Sequence, residues 1–241
     1  MRVDGQDAAA GMKVREGQDI ELVFSACEQN KLNSGVYVLA RKKGLAALFK
    51  PPGLHSQSGK GASLEDMLPD LLGPQAVLLN RLDYLTSGIV LVATENHVRG
   101  AYLRAQQAGE MKKIYLALVA GGVREEFVCT RALDCRKTKK VRVLKKEEPS
   151  SLRHTLIRPV HLFDGNKTLV EACIVKGQRH QIRAHLAGAG FPIIGDPLYG
   201  QQPVTTRLFL QHAAFYWDDF SVSVLPDWQE VAELRSLPLV F

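Results

Sequence analysis

Residues 80–93 read NRLDYLTSGIVLVA, and this segment indicates both a central strand of the fold and the position of the candidate site. A short polar segment, Arg81-Leu82-Asp83, is followed by Thr86-Ser87-Gly88 and then by a continuous apolar run from Ile89 to Ala93. Such a run predicts a buried strand. A carboxylate just before this strand is either an ion-paired turn residue or a reactive group held by a rigid element. Both interpretations stay open at this point.

Further strands are predicted on both sides of this stretch, with no regular alternation of strand and helix. The N-terminal segment predicts two short strands around turns at Gly5 and Gly17. Later strands are predicted at Ile114–Val119, Leu169–Val175, Phe209–Trp217 and Phe220–Leu225. The pattern predicts an α+β fold on a mixed, mostly antiparallel sheet.

Three helices are predicted: one after a cap at Ser63, one from Glu95 to Gln107 after a cap at Thr94, and one from Gln178 to Ala187. The first has Asp66 three residues after its cap and an apolar face of Leu64, Met67 and Leu71. Gly188 and Gly190 are expected to end the third. The helices therefore flank the sheet rather than dominate the fold.

The composition of the 241 residues is that of a globular protein, with 46% hydrophobic and 23% charged residues. No apolar run reaches the roughly 20 residues that span a bilayer. The first 17 residues carry Asp4, Asp7 and Glu16 and no apolar core, unlike a targeting signal. The four cysteines are not spaced as metal ligands and are expected to be reduced. We therefore expect a cytoplasmic protein.

Two possible ligand motifs do not match the patterns that they resemble. In SGKGAS (residues 58–63), Lys60 is followed by glycine rather than Ser or Thr, so the segment is not a phosphate-binding loop. His180 and His185 are five residues apart, which does not bring them together on a helix as a zinc pair. We expect substrate-contacting or core-edge histidines, with no metal site and no nucleotide site.

The positive charge is concentrated in residues 131–146, RALDCRKTKKVRVLKK, which contain eight basic residues and one acidic residue, Asp134. The net charge of the whole chain is +6. Such a run is either a solvated hairpin or a surface that binds RNA phosphates, which favour basic patches through counterion release. Charge alone does not decide between them.

Several motifs in one order resemble those of the RluA-type pseudouridine synthases. The central one is R-L-D-x-x-T-S-G at residues 81–88, followed by the apolar strand. The others are Lys50-Pro51-Pro52-Gly53-Leu54, the Lys113–Val119 strand (K-x-Y-x-A-x-V), Gly177–Leu186 (containing H-Q-I-R-x-H-L), Pro192–Gly200 (P-x-x-G-D-x-x-Y-G) and Leu210-Gln211-His212-Ala213. The resemblance implies the pseudouridine synthase fold, with a central catalytic cleft.

The resemblance also implies a reaction and its catalytic residues. Uracil is detached from C1′ of a uridine in RNA, turned and rejoined through C5, without cofactor or metal. Asp83 is implied as the essential carboxylate, acting either as nucleophile at C1′ or as base at the 2′ position. Arg183 is implied as its ion-pair partner. Tyr115 is implied as an aromatic face for uracil, an interaction worth about 1–3 kcal/mol per base.

RNA contacts are implied by the same motifs. The target uridine must be flipped out of a stem, and Arg81 would fill the vacated stack. Asn80 stands where the family usually has His, which affects substrate contacts rather than catalysis, and His180 is a further substrate-contacting candidate. From the basic run we expect Lys137, Lys139, Lys140 and Arg142 to bind phosphates.

The domain boundary is placed between residues 28 and 29. Residues 2–24 resemble the closing half of an RNA-binding module of the ribosomal-protein S-four type, so residues 1–28 are interpreted as a partial or degenerate module and 29–241 as the catalytic domain. Because such modules accompany ribosomal substrates, ribosomal RNA is favoured over transfer RNA. The protein is expected to be a monomer. A catalytically silent RNA-binding protein and a two-carboxylate glycosidase are the competing interpretations.

Overall fold

The computed structural model describes residues 2–3, 6–7, 20–21, 35–136, 139–163, 166–200 and 207–229. The chain divides into two compact units, Met1–Asn30 and Lys31–Phe241. In the first unit, strands β1 (Arg2–Val3), β2 (Gln6–Asp7) and β3 (Ile20–Glu21) form an antiparallel sheet in the order β2-β1-β3. The predicted turns at Gly5 and Gly17 lie outside the described residues.

The second unit contains three α-helices and twelve strands within the described ranges. The helices are α1 (Leu64–Leu72), α2 (Asn96–Ala108) and α3 (Gln181–Gly188). The strands are β4 (Tyr37–Lys42), β5 (Leu45–Lys50), β6 (Val77–Leu78), β7 (Ser87–Ala93), β8 (Met111–Ala120), β9 (Phe127–Cys129), β10 (Arg131–Asp134), β11 (Arg142–Glu147), β12 (Thr155–Phe163), β13 (Lys167–Ile174), β14 (Leu210–Trp217) and β15 (Phe220–Ser223). The strands predicted after Asp83 are confirmed, with shifted ends, whereas the N-terminal segment has three short strands instead of the predicted two.

Ten of these strands form one sheet in the order β4-β5-β7-β14-β8-β13-β12-β9, with β6 also pairing with β7 and β15 with β14. All of its strand pairs are antiparallel except β7 with β14. The parallel pair joins Ser87 to Gln211 and Gly88 to His212. A mixed, mostly antiparallel sheet with few helices confirms the predicted α+β class.

The apolar run after Asp83 forms β7, whose residues are all buried. Its pleat divides the core: Val90 and Val92 belong to one apolar cluster, while Ile89, Leu91 and Ala93 belong to another. Apolar residues of α1 and α3 join the first cluster, and those of α2 join the second. Both faces of β7 are therefore covered, which explains why its sequence shows no polar alternation.

The helix caps agree with the sequence at α1 and differ at α2. The Ser63 hydroxyl accepts a hydrogen bond from the amide of Asp66 at 3.2 Å and donates to the Asp66 carboxylate at 2.6 Å. The predicted cap at Thr94 is wrong: its hydroxyl donates to the carbonyl of Gly44 at 3.1 Å, and Glu95 is the residue before the helix. Because the Thr94 side chain is hydrogen-bonded to the distant turn at Gly44, it does not cap α2.

The third helix begins at Gln181, three residues later than predicted. His180 has φ 53°, in the left-handed region, so the backbone is not helical at that residue. Residues 177–180 form a loop instead. Strands β10 and β11 pair as an antiparallel hairpin, and Leu133 and Val141 of the hairpin segment form a small apolar cluster with Ala184 of α3.

Among the described helices, none combines the length and the hydropathy that a membrane-spanning segment needs.

Candidate active site

A cleft of about 790 Å³ opens beside the turn that precedes β7. The predicted site residues that line it are Asn80, Arg81, Asp83, Tyr115, His180 and Arg183. These residues come from the turn before β7, from β8, and from the start of α3. The fold thus brings together groups such as Asp83 and Arg183, which are 100 positions apart in the sequence.

The turn that carries Asp83 is held by backbone hydrogen bonds on both of its sides. The amide of Thr86 donates to the carbonyl of Asp83 at 3.0 Å, which closes the turn. The buried hydroxyl of Ser56 donates to the carbonyl of Leu82 at 2.8 Å and accepts from its amide at 3.0 Å. The Asp83 backbone is therefore fixed against the neighbouring loop.

Lys50 connects the loop that follows β5 to the turn that carries Asp83. Its side chain is fully buried, and its ammonium donates to the carbonyls of Pro51 and Leu54, both at 2.9 Å, and of Tyr84 at 3.5 Å. Burial lowers the pKa of Lys50 to about 7, and the nearby Asp83 carboxylate opposes this shift. The sequence pattern includes Lys50 in a motif without indicating this role.

Arg183 joins two carboxylates. Its Nη1 lies 2.9 Å from Oδ2 of Asp83, while Nε and Nη2 lie 2.7 Å and 2.9 Å from the two oxygens of Asp196. Burial opposes the charge of Arg183, but the hydrogen bonds and charges of Asp196 and Asp83 together outweigh it, so the pKa of Arg183 is raised. The planar guanidinium is fixed by a bidentate pair on one edge and presents its other edge to Asp83.

Asp196 is the residue of this network whose role the sequence analysis missed. Burial alone would raise its pKa, but hydrogen bonds from Arg183 and from the amides of Leu198 and Tyr199 hold the pKa below its ordinary value. The side chain is fully buried. The G-D step of the Pro192–Gly200 motif was the available signal, since a buried Asp requires a cationic or amide partner.

His180 lies beside the Asp83–Arg183 pair. Its Nε2 is 3.8 Å from Oδ2 of Asp83, and its Nδ1 is 3.2 Å from the hydroxyl of Tyr199. Burial lowers the pKa of His180 below its ordinary value, more than the Asp83 carboxylate raises it. The histidine is therefore mainly neutral at pH 7 and places a polar ring edge next to the carboxylate.

Tyr115 is both a buried strand residue and a residue of the cleft. It is 7% exposed, and its ring stacks on His212 with centroids 4.6 Å apart. Because Nδ1 of His212 lies 2.6 Å from the carbonyl of Ile89, that nitrogen must carry the proton. Burial lowers the pKa of His212 to about 3, so the ring stays neutral. His212 thus supports the ring of Tyr115 by stacking on it, a role that the sequence did not indicate.

Arg81 and Asn80 differ in their surroundings. Arg81 is exposed at the rim, and its guanidinium donates to the side-chain carbonyl of Gln57. Asn80 accepts a hydrogen bond from the amide of Leu91 at 2.6 Å, whereas its Nδ2 is buried without a described partner. Arg81 is thus accessible from the solvent. The Nδ2 group of Asn80 donates no hydrogen bond to any described residue.

The basic hairpin β10–β11 lies outside the cleft lining. Lys139, Lys140 and Arg142 are all exposed, and Lys137 lies outside the described residues. The ammonium of Lys140 lies 4.9 Å from the ring centre of Tyr199. Tyr199 also contacts His180, which lines the cleft. Tyr199 therefore lies between Lys140 of the hairpin segment and the cleft.

The described ranges contain no group of three or more His, Cys, Asp or Glu side chains that could hold a metal ion. Cys129, Cys135 and Cys173 are free thiols.

The region that builds the cleft matches a known protein family. Residues 44–188 match the family model of RNA pseudouridylate synthases. An uncharacterized RNA pseudouridine synthase of Helicobacter pylori (strain J99) is 34% identical over 180 residues, covering 73% of this chain and 68% of the relative. Ribosomal large subunit pseudouridine synthase D of Nitrosomonas europaea is 28% identical over 211 residues, covering 83% and 61%.

A solved structure shows the same fold. Human RNA pseudouridylate synthase domain containing 1 superimposes with a TM-score of 0.64 over 80% of this chain and 84% of its own, at 22% sequence identity. The matched family region contains the turn of Asp83, strand β8 and helix α3, which together build the cleft. This chain belongs to the RNA pseudouridylate synthase family, as an RluA-type member.

Proposed function

We propose that this RNA pseudouridine synthase modifies a uridine of ribosomal RNA, with Asp83 as the catalytic carboxylate. The observation that carries the proposal is the 2.9 Å pair between Asp83 and Arg183 inside a cleft that Tyr115 also lines. The Asp83 side chain is one quarter exposed (25%), so a substrate can reach it. A buried structural pair would leave no such access.

The reaction needs each of these groups for a different reason. The bond from C1′ to N1 of uracil breaks and a bond from C1′ to C5 forms, while the proton of C5 leaves and N1 gains one. Whether Asp83 attacks C1′ or removes the 2′ proton, it must be ionised, and Arg183 stabilises that charge. The ring of Tyr115 offers the surface against which the detached uracil turns.

RNA enters from the rim. Flipping a uridine out of a stem costs a few kcal/mol, and the exposed guanidinium of Arg81 is placed to fill the vacated space. His180 and Asn80 line the path to Asp83. Lys137, Lys139, Lys140 and Arg142 of the hairpin segment would bind phosphates further along the RNA.

The choice of ribosomal RNA has two supports. The Nitrosomonas europaea relative is named for the large ribosomal subunit. Residues 2–24 resemble the closing half of an S-four-type module, and modules of this kind accompany ribosomal substrates. We infer that the chain works in the cytoplasm as a monomer.

Asp83→Asn tests the assignment. The amide keeps the shape and an acceptor for Arg183 but cannot act as nucleophile or base, so pseudouridine formation should fall about a thousandfold or more. RNA affinity should stay close to that of the wild type. Pseudouridines are mapped in total RNA from cells with and without the gene, and the converted stem-loop is then assayed with purified protein.

Asp70→Asn is the matched control, because it makes the same charge change on an exposed residue of α1 away from the cleft lining. It should convert RNA at the wild-type rate. A near wild-type rate for Asp83→Asn would overturn the assignment of Asp83. Pseudouridines that disappear only from transfer RNA would overturn the choice of substrate.

A further inference from the structure

We propose that the cleft contains a second subsite, formed by Lys113, Arg99, Gln106 and Asn80, which binds a backbone phosphate of the RNA next to the target uridine. The proposal rests on the proposed function, because it uses Tyr115 as the position of uracil. All four side chains line the same cleft as Asp83.

Within the described residues, Lys113 is a buried cation without an anionic partner. It is 3% exposed, its ammonium donates to the carbonyl of Val175 at 3.1 Å, and it lies 5.3 Å from the ring centre of Tyr102. None of the described carboxylates forms an ion pair with it. Burial lowers the pKa of Lys113 to about 8, so it is still mostly charged at pH 7. A buried ammonium with unused donors favours an anionic ligand.

Asn80 supplies an independent observation. Its Oδ1 is occupied by the amide of Leu91, which fixes the orientation of the side chain, and its Nδ2 is buried with no described partner. A buried amide donor left unpaired is costly and is normally satisfied. Because Asn80 lines the cleft, an acceptor on a bound substrate is the group that would satisfy it.

Helix α2 completes the subsite. Arg99 and Gln106 are seven residues apart, two helical turns, and therefore lie on one face. Gln106 contacts the hydroxyl of Tyr102 at 3.4 Å, and Lys113 lies over the ring of the same tyrosine. The exposed guanidinium of Arg99 adds a second positive charge at the edge.

The charges of the lining favour a phosphate over a neutral carbonyl. The described carboxylates that line the cleft are Asp83 and Glu65, and Glu65 accepts hydrogen bonds from Ser58. The four subsite residues thus present two cations and two amides and no carboxylate. Phosphates are bound by such sets of charged and neutral donors.

The distance to Tyr115 suits one nucleotide. Lys113 and Tyr115 are two residues apart on β8, so both side chains point to the same face about 7 Å apart. If Tyr115 stacks on the flipped uracil, the ammonium of Lys113 is within reach of a phosphate that adjoins the same nucleotide. We therefore expect the subsite to hold the backbone while the base turns.

Phosphate neutralisation tests the subsite. The RNA is the stem-loop in which the converted uridine has been mapped, prepared with a single methylphosphonate at each linkage flanking that uridine. In the wild type, one of these substitutions should weaken binding roughly tenfold. Lys113→Met should bind the native RNA roughly tenfold more weakly and should lose sensitivity to that linkage, which gives a double-mutant cycle.

Asn80→Asp is the second variant, because it keeps the acceptor for the amide of Leu91 but replaces the free donor by a negative charge. It should weaken binding of native RNA, and the methylphosphonate should remove most of this effect. Lys112→Met is the control: it makes the same charge change one residue away, on an exposed side chain outside the cleft lining. Its sensitivity to the linkage should equal that of the wild type.

The outcomes separate the two proposals. If the wild type forms no pseudouridine in any RNA, the proposed function fails. If the wild type converts the stem-loop but Lys113→Met keeps the full methylphosphonate effect at every linkage, the subsite alone is overturned. The subsite is supported if the methylphosphonate no longer weakens RNA binding by Lys113→Met but weakens RNA binding by Lys112→Met as much as by the wild type.

Discussion

The buried charge of Lys113 lowers the stability of the folded protein. A lysine whose pKa falls from 10.5 to about 8 binds its proton less tightly in the folded protein than in the unfolded chain. The charge of Lys113 therefore favours unfolding, fully below pH 8 and progressively less as the pH rises towards 10.5. Residues that destabilise the free protein are common where a ligand is bound, since the ligand supplies the missing partner.

This linkage predicts how a substitution of Lys113 changes stability. Lys113→Met keeps the apolar stem and removes the charge, so the variant should be more stable than the wild type below pH 8, by up to about 3 kcal/mol. The difference should shrink as the pH rises towards 10.5, where the unfolded chain also loses its proton. Urea unfolding at pH 7 and pH 10 measures it, with Lys112→Met as control. A variant less stable at pH 7 would contradict the prediction.

At the scale of elements, the parallel pairing of β7 with β14 positions the site. It joins the strand that follows Asp83 to the strand that carries His212 behind Tyr115. Gly88 makes the approach possible: its φ is 112°, and a Cβ there would lie 2.2 Å from the carbonyl oxygen of His212. The glycine of the T-S-G motif is therefore required by packing as well as by backbone conformation.

Gly88→Ala should accordingly destabilise the protein by an amount on the order of 3 kcal/mol. The added Cβ would collide with the backbone of His212, which cannot move aside as the end of a flexible side chain could. Pseudouridine formation should fall along with the folded fraction. Gly100→Ala is the matched control, since Gly100 lies within α2 and alanine favours a helix. Thermal unfolding of both variants decides the point. Equal melting temperatures for Gly88→Ala and the wild type would show that β7 and β14 can separate without cost.

The same elements show what the sequence could and could not predict. Ser63 and Asp66 form a local cap, so α1 could be predicted from spacing alone. Thr94 could not be assigned correctly, because its partner is fifty residues away in a turn. Likewise the resemblance paired Asp83 with Arg183, but the second carboxylate on Arg183 becomes evident only when the chain is folded. Long-range hydrogen bonds account for these differences.

At the scale of the whole molecule, positive charge is concentrated beside the cleft. The hairpin β10–β11 contacts α3, the helix that carries Arg183, and its described basic side chains are exposed. One of them, Arg136, is paired with Asp134, and its hydrogen bonds lower the pKa of that carboxyl to about 2. We propose that the other exposed cations add a field that attracts an RNA backbone towards the cleft.

Replacement of the four residues Lys137, Lys139, Lys140 and Arg142 by Gln should weaken binding of target and non-target RNA alike. The log–log salt dependence should flatten by about 0.7–0.9 for each phosphate that the variant no longer binds. Turnover at saturating RNA should change little. Titration against a uridine-containing stem-loop at several salt concentrations measures the slope.

The charge-matched control replaces four exposed residues away from the cleft lining by Gln: Arg104, Lys112, Arg124 and Lys167. If the slopes of both quadruple variants fall equally, the hairpin has no special part in RNA binding. An unaltered slope in the hairpin variant would identify it as a solvated hairpin that points away from RNA.

The late position of β14 has a consequence for synthesis of the chain. Asp83 and Arg183 both leave the ribosome before Leu210–Trp217, yet this strand lies between β7 and β8 in the sheet. Until it is inserted, the edge of β7 is unpaired on that side and Tyr115 has no ring behind it. A nascent chain that stops before residue 210 therefore contains the whole ion pair but not the strand that closes the sheet around it. The active site therefore cannot fold completely until β14 has emerged.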